Sequence, residues 1–341
     1  MSSKVICSML LKIEVLNSYY ETGKWPMFDV SVSRTDDGRT VVHFSFDCML
    51  LDGWSANMMI SQIYSLYSGK KVDFPDYTFR QYVLEKDEWL KQKDYYREAC
   101  EYWEKNSPLL PPAPALPYRV SPGSVKKPHF SRKRYVLDRD LTLKLNERLK
   151  VTGVTASAAV CTAYMKIISE FGGSEEFSLN LTLYNRLPLN REVSKLLGDF
   201  TNLTLVPYHA EGSFIKETEA VHDLLMKAAE YRTYNGLDLL KRFSGNNIFS
   251  AVMPVVFTSE LFGNLDSAED DEVFSVTKEL YAISQTPQVA LDHQALVRNG
   301  ELVLIWDYVE ELFEPDKINE MFETYVSFIR KLALSDNWNE L

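Results

Sequence analysis

A chain of 341 residues, 45% hydrophobic and 25% charged, has the composition of a globular protein and can bury a substantial core, in two domains if required. Its 37 basic and 48 acidic side chains leave a net charge of −11, which argues against a nucleic-acid partner and says little about small substrates. No apolar run approaches a membrane span, the N-terminus lacks the apolar core of a signal peptide, and Cys7, Cys48, Cys100 and Cys161 show neither C-x-x-C spacing nor nearby histidines that would suggest zinc, so a reducing cytoplasm with free thiols and no metal is the economical expectation.

Two extended segments come first, Phe28 to Arg34 and Thr40 to Asp47, joined at Asp36-Asp37-Gly38 by a hairpin-like turn. Asp52-Gly53 makes the following bend, and Ser55 reads as the N-cap of a helix to about Tyr67, which Gly69 ends. Thr78 to Lys105 reads as helical, its many aromatics suited to core packing. The prolines from Pro108 to Pro122 support neither a helix nor a central strand. They are read as a connection between a first lobe (1–107) and a second (123–341).

An alternating pattern follows: a strand from His129 to Leu137, a helix from Leu141 to Lys150, an apolar helix from Thr155 to Phe171 and a strand from Phe177 to Leu183. Further helices are expected near Phe214 to Tyr234 and Pro315 to Leu332. The fold class is α/β or α+β with substantial mixed sheet.

The sharpest local inference lies near the end of the chain. Asn299-Gly300 is a strong two-residue hairpin signal between Val289 to Val297 and Glu301 to Tyr308. Pairing Arg298 with Glu301 sets Gln294 opposite Ile305 and Asp292 opposite Asp307. The opposite face then carries Leu291, Ala295, Val297, Leu302, Leu304 and Trp306, a coherent surface for a core. Two carboxylates side by side disfavour double ionisation, so one is suited to hold its proton near neutrality. On the residues alone, solvation or hydrogen bonding to backbone is the favoured reading, and a register slip of one residue would separate the pair.

Several short motifs occur in a fixed order. The run Asp47-Cys48-Met49-Leu50-Leu51-Asp52-Gly53-Trp54-Ser55 has the skeleton D-x-x-x-x-D-x-x-S. It is followed by a proline-rich segment from Leu110 to Pro117, by Thr155-Ala156-Ser157-Ala158-Ala159-Val160, and by Gly198-Asp199-Phe200-Thr201-Asn202-Leu203-Thr204-Leu205. Pro254-Val255-Val256-Phe257-Thr258-Ser259-Glu260-Leu261 comes next, then Ser284-Gln285-Thr286-Pro287-Gln288-Val289-Ala290-Leu291-Asp292 ahead of Trp306-Asp307. Together they resemble the signature of heterocyclization domains of nonribosomal peptide synthetases, a branch of the condensation-domain family. Plain condensation domains place two histidines where this chain has Asp47 and Cys48. Tyr118 and Phe171 depart from the family's usual Leu and Trp. Its front segments, FPLTxxQ-like and RHxxL-like, are not found, so the first lobe is expected to be incomplete through natural shortening, a misplaced start or fragmentation.

The resemblance implies two lobes like chloramphenicol acetyltransferase, set in a V around a central tunnel. It implies condensation of a carrier-bound acyl or peptidyl thioester with carrier-bound Cys, Ser or Thr, then cyclodehydration to thiazoline or oxazoline. Substrates would ride on the phosphopantetheine of upstream and downstream peptidyl carrier proteins, beside adenylation domains. No cofactor is bound directly, and no nucleic acid, membrane or metal is involved. Asp292 is the implied general acid/base and Thr258 its partner, with Gln288, Asn185 and Asp307 positioning substrate. Taken alone, Thr258 is better read as a strand residue whose hydroxyl bonds to backbone.

Asp47, Asp52 and Ser55 mark the family and read as mainly structural, Asp47 being the most open of the three. The resemblance pairs the aspartate matching Asp52 with an arginine of the absent front, leaving Asp52 solvated or neutralised otherwise. Cys48 reads as a small buried thiol, His43 and His293 as packed residues, and Asp199 as a turn or ion-pair residue. Two other readings stay open: a truncated, non-catalytic module that binds carrier proteins, and an amide-forming condensation domain without cyclization.

Overall fold

The computed structural model describes residues 20–35, 37–92, 94–245, 252–261, 265 and 272–341. The chain divides into two compact units, one gathering residues up to Lys86 with Arg186–Thr201, the other Asp87–Asn185 with Asn202–Leu341. Cys7 and Asp36 lie outside the described residues.

In the smaller unit, β1 (Phe28–Arg34) and β2 (Thr40–Phe46) form a two-stranded antiparallel ribbon with Val32 opposite Val42. Its alternation is as the sequence suggests, yet the apolar face is open: Val32 and Val42 are 64% and 62% exposed. His43, on the other face, is the buried one, with its Nε2 2.8 Å from Ser33 Oγ. Helix α1 (Gly53–Tyr67) starts two residues before Ser55, and its N-cap is Asp52, which accepts from Ser55 N at 2.7 Å. The expected cap is corrected because the Asp52 carboxylate meets the free amides of the first turn directly.

The predicted single helix from Thr78 to Lys105 is two, α2 (Phe79–Lys91) and α3 (Asp94–Asn106). The first stretch of the smaller unit, up to Lys86, stops within α2. Tyr82 and Trp103 are their buried aromatics.

The larger unit is built on a six-stranded mixed sheet. Its strands are β3 (Phe130–Leu137), β4 (Glu176–Tyr184), β5 (Thr201–His209), β6 (Val255–Ser259), β7 (Leu291–Arg298) and β8 (Glu301–Val309), in the order β3-β8-β7-β6-β4-β5. The antiparallel β7–β8 hairpin has the predicted register, from Arg298↔Glu301 to Asp292↔Asp307. Asn299 and Gly300 both take positive φ, 52° and 74°, as a two-residue turn matching the strand twist requires. Strand β5 occupies a stretch that the motif series marks but to which sequence periodicity assigns no element.

Helices α4 (Arg139–Thr152), α5 (Ala156–Gly172), α6 (Phe214–Glu230), α7 (Gly236–Phe243), α8 (Glu272–Val276) and α9 (Pro315–Leu334) complete this unit. Asp138 caps α4 and Thr155 caps α5, accepting from Leu141 N and Ala158 N. The large core joins Tyr164 and Met165 of α5 and Phe322 and Tyr325 of α9 to Leu291, Ala295, Leu304 and Trp306 of the sheet. Strand residues two apart share a face, so burying this set turns Asp292 and Asp307 to the other side. The proline-rich run lies within this unit, where Pro111 O and Pro112 O accept from Ser178.

Candidate active site

Asp292 and Asp307 sit side by side across β7 and β8, 8% and 1% exposed. Their surroundings differ sharply. Arg132 of β3, directly across from Asp307, donates Nε to Asp307 Oδ1 and Nη2 to Oδ2, both at 2.7 Å. Ser284 N adds a bond to Oδ2 at 2.9 Å. Burial pushes the Asp307 carboxyl up, and the bonds and charge of Arg132 oppose this, so Asp307 is the member suited to carry the negative charge.

Asp292 has no such guanidinium. Its Oδ2 accepts from Gln294 Nε2 at 3.1 Å, and the same nitrogen lies 3.3 Å from Asp307 Oδ2. Asp292 Oδ1 is buried and finds no hydrogen-bond partner among the described residues. Burial raises the Asp292 carboxyl to about 6; Gln294 opposes the rise and the charge of Asp307 adds to it. A buried acid with one bare oxygen, titrating near neutrality, is equipped to exchange a proton with a reactant.

Thr258, half-buried on β6, lies beside Gln294, while Asp292 lies beside Val256. Ordinary strand spacing puts the backbones of Thr258 and Asp292 about 8 Å apart, on the same face of the sheet. His293 faces the core, with Nε2 2.6 Å from Tyr325 Oη, and burial lowers its pKa to about 3. It is a neutral packed residue. Gln288 lies in an exposed turn at φ 66°. Asn185, at the end of β4, donates Nδ2 to Arg232 O at 2.8 Å. Asn202 grips the same carbonyl at 3.0 Å, so both asparagines brace the corner between α6 and α7.

The sequence reading overlooked Arg132 and Gln294. Gln294 was accessible, since two residues after Asp292 on a strand is the same face. Arg132 was not, because its place depends on which strand pairs with β8.

Asp47, Asp52 and Ser55 occupy the smaller unit. Asp52 is neutralised by Arg186, whose Nη2 is 3.3 Å from Asp52 Oδ1 and 2.8 Å from Ser55 Oγ. Phe200 N donates to Asp52 Oδ2 at 3.1 Å, and Ser55 Oγ donates to Gly198 O at 2.8 Å. The Arg186 guanidinium stacks 3.9 Å from the Phe200 ring centroid. Gly198 leaves no room for a side chain, since a Cβ there would come within 2.4 Å of the Phe79 ring. Aspartate and serine therefore tie the start of α1 to the segment returning at Arg186–Thr201.

Asp47 closes a turn, its Oδ1 accepting from Met49 N at 2.8 Å. That turn carries Cys48 outward, so the buried thiol expected there is exposed. Asp199 likewise accepts from Thr201 N in a turn.

An α/β domain of the chloramphenicol acetyltransferase type with a buried acid on an inner strand is the class that this geometry defines. The family profile described as the condensation domain matches residues 10–337, and the chain belongs to that family. It is 32% identical over 320 residues to bacitracin synthase 1 of Bacillus licheniformis, covering 92% of this chain and 6% of that protein. It is 31% identical over 317 residues to phenyloxazoline synthase MbtB of Mycobacterium tuberculosis, covering 91% of this chain and 22% of that one. The chain thus spans under a quarter of the length of either synthetase. The solved EpoB cyclization-docking bidomain from Sorangium cellulosum superposes with a TM-score of 0.90 at 27% identity, covering 100% of this chain and 70% of that one.

Among the described residues no single helix is long and apolar enough to cross a membrane, and no three His, Cys, Asp or Glu side chains gather as metal ligands.

Proposed function

We propose that the chain acts as a heterocyclization domain, with Asp292 as its acid/base residue. The observation that carries this reading is the buried Asp292 carboxyl, with Oδ1 free of partners among the described residues and a titration near neutrality. Likeness to proteins named for an oxazoline and for cyclization supports it.

In this reading the amine of a carrier-bound Cys, Ser or Thr attacks an upstream thioester, forming an amide and releasing the upstream thiol. The side-chain thiol or hydroxyl then adds to the amide carbonyl, giving a ring that carries a hydroxyl on the former carbonyl carbon. Loss of that hydroxyl as water and of the ring nitrogen's proton leaves a C=N bond. Asp292, protonated near its pKa, donates to the leaving oxygen; its carboxylate then accepts the proton from nitrogen. Thr258 holds the hydroxyl or the acid in line. Asp307, with both oxygens occupied by donors, acts through its charge.

Carrier tethering through phosphopantetheine supplies high effective concentration, so little of the substrate's affinity need come from a dedicated binding site. Adenylation domains and upstream and downstream carrier proteins are the expected partners, in the cytoplasm.

Reconstitution with loaded carrier proteins, read by mass, separates amide formation from loss of water. Wild type is expected to yield the dehydrated ring, and Asp292→Ala the amide alone. Undiminished water loss in Asp292→Ala would remove Asp292 from the chemistry. Wild-type product that retains its water would instead identify an amide-forming condensation domain.

A further inference from the structure

We infer that Gln294 is a positioning residue that confines the Asp292 proton to Oδ1 and sets the pH at which it leaves, a role that rests on the acid/base reading of Asp292. The geometry comes first. The Gln294 amide nitrogen faces two carboxylate oxygens, Asp292 Oδ2 at 3.1 Å and Asp307 Oδ2 at 3.3 Å. Only the NH2 end of the amide can sit there, because a carbonyl would set acceptor against acceptor. With that N–H directed at Oδ2, a proton on Oδ2 would oppose the donor. The acid form therefore carries its hydrogen on Oδ1, the oxygen with no partner among the described residues. Gln294 also stands beside Thr258 across β6 and β7, so one side chain touches the acid and neighbours its proposed helper.

The charges around Asp292 leave this job to Gln294. From β8 comes Asp307, whose charge resists ionisation of Asp292; from β3 comes Arg132, which is spent on both oxygens of Asp307. Glu279, 3.9 Å from Arg132, adds negative charge beyond it. From α5, Tyr164 stays protonated, and His293 on β7 is neutral and turned to the core. Ser284 also favours the carboxylate, more weakly, without a hydrogen bond to Oδ1. Of all these groups, Gln294 does most to favour the Asp292 carboxylate.

Replacing Gln294 by Met keeps length and bulk while deleting the donor. A hydrogen bond to a charged group is worth about 1.5–3 kcal/mol, or roughly one to two pH units. The test follows Asp292 itself by carbon NMR of Asp-labelled protein, assigned with Asp292→Asn, and in parallel the pH dependence of water loss from the carrier-bound product. Gln294→Met is expected to move the Asp292 midpoint upward by about one to two units, and the water-loss profile with it. Gln294→Glu, nearly isosteric, is expected to move it further upward and serves if the Met variant folds poorly.

An Asp292 midpoint that stays put in a folded variant overturns the inference, whatever happens to rate. A midpoint that moves while the water-loss profile does not would uphold the coupling and instead refute Asp292 as the dehydrating acid. A purely structural role for Gln294 would lower rates at every pH without shifting either midpoint.

Discussion

Asp307 holds the guanidinium of Arg132 on both of its oxygens, whereas Asp292, its neighbour across the hairpin, holds none. One strand pairing thus produces two carboxyls that burial pushes up alike but whose partners differ. The first is fixed by a cation; the second is left close to the point where it can give or take a proton.

Asp292→Asn tests the consequence for chemistry. The amide keeps shape and polarity but cannot act as an acid. Water loss is expected to fall by about 10²–10⁴-fold, the usual worth of general acid–base catalysis, while amide formation continues. Single-turnover mass analysis of the carrier-bound product measures both.

Stability should respond in the opposite sense. The Asp292 carboxyl titrates at about 6 when folded against 3.8 for the free side chain, so the folded protein binds the extra proton between those values. Its stability is therefore highest below pH 4 as far as this group is concerned, and declines as pH rises to 6, by up to about 3 kcal/mol. Asp292→Asn removes that decline. Urea unfolding at pH 5 and pH 8 should show the variant gaining on wild type at the higher pH.

Arg132→Met leaves Asp307 buried without its cation. Breaking a buried pair from one side costs about 3–5 kcal/mol, and the pair should then share a proton, moving Asp292 further up. Arg132→Lys is expected to recover only part of the loss, because an ammonium cannot grip both oxygens in the same way. Chemical denaturation of both variants, with the pH profile of water loss, provides the measure.

Thr258→Val replaces a half-buried hydroxyl by a methyl of the same shape. Fold stability should change by about 1 kcal/mol through the lost hydroxyl, while water loss drops about tenfold or more if the hydroxyl orients the leaving group. Equal losses in amide formation and in dehydration would assign Thr258 to binding.

Arg186→Met and Asp52→Asn probe the other charged cluster of the motif series. Each alone should cost several kcal/mol, about 3–5 for the buried charge left behind, and the double variant should cost less than the sum. Additive losses in a denaturation cycle would mean that the two side chains do not act as a pair.

Much of the acid site was legible. Asn299-Gly300 fixed a register, and period-two burial then named both the core face and the carboxyl pair. What remained hidden was non-local. Arg132 is 175 positions from Asp307, and nothing in its own segment says that β3 will lie against β8. Arg186 escaped for the same reason, being 134 positions from Asp52. The open face of the β1–β2 ribbon shows the limit of alternation: it identifies a face without saying whether anything covers it. Ser55 was misplaced as a cap because Asp52 and Ser55 both have the chemistry for it, and only backbone geometry separates them.

The segment Arg186–Thr201 belongs to the smaller unit although the residues on both sides of it belong to the larger. Cutting the gene after Lys86 would therefore not liberate an autonomous module. Such a piece would carry Asp52 and Ser55 but lack Arg186, Gly198 and Phe200, and its buried carboxylate would have neither counter-charge nor amides to receive it. Engineers swapping parts of such chains must exchange two separated stretches together.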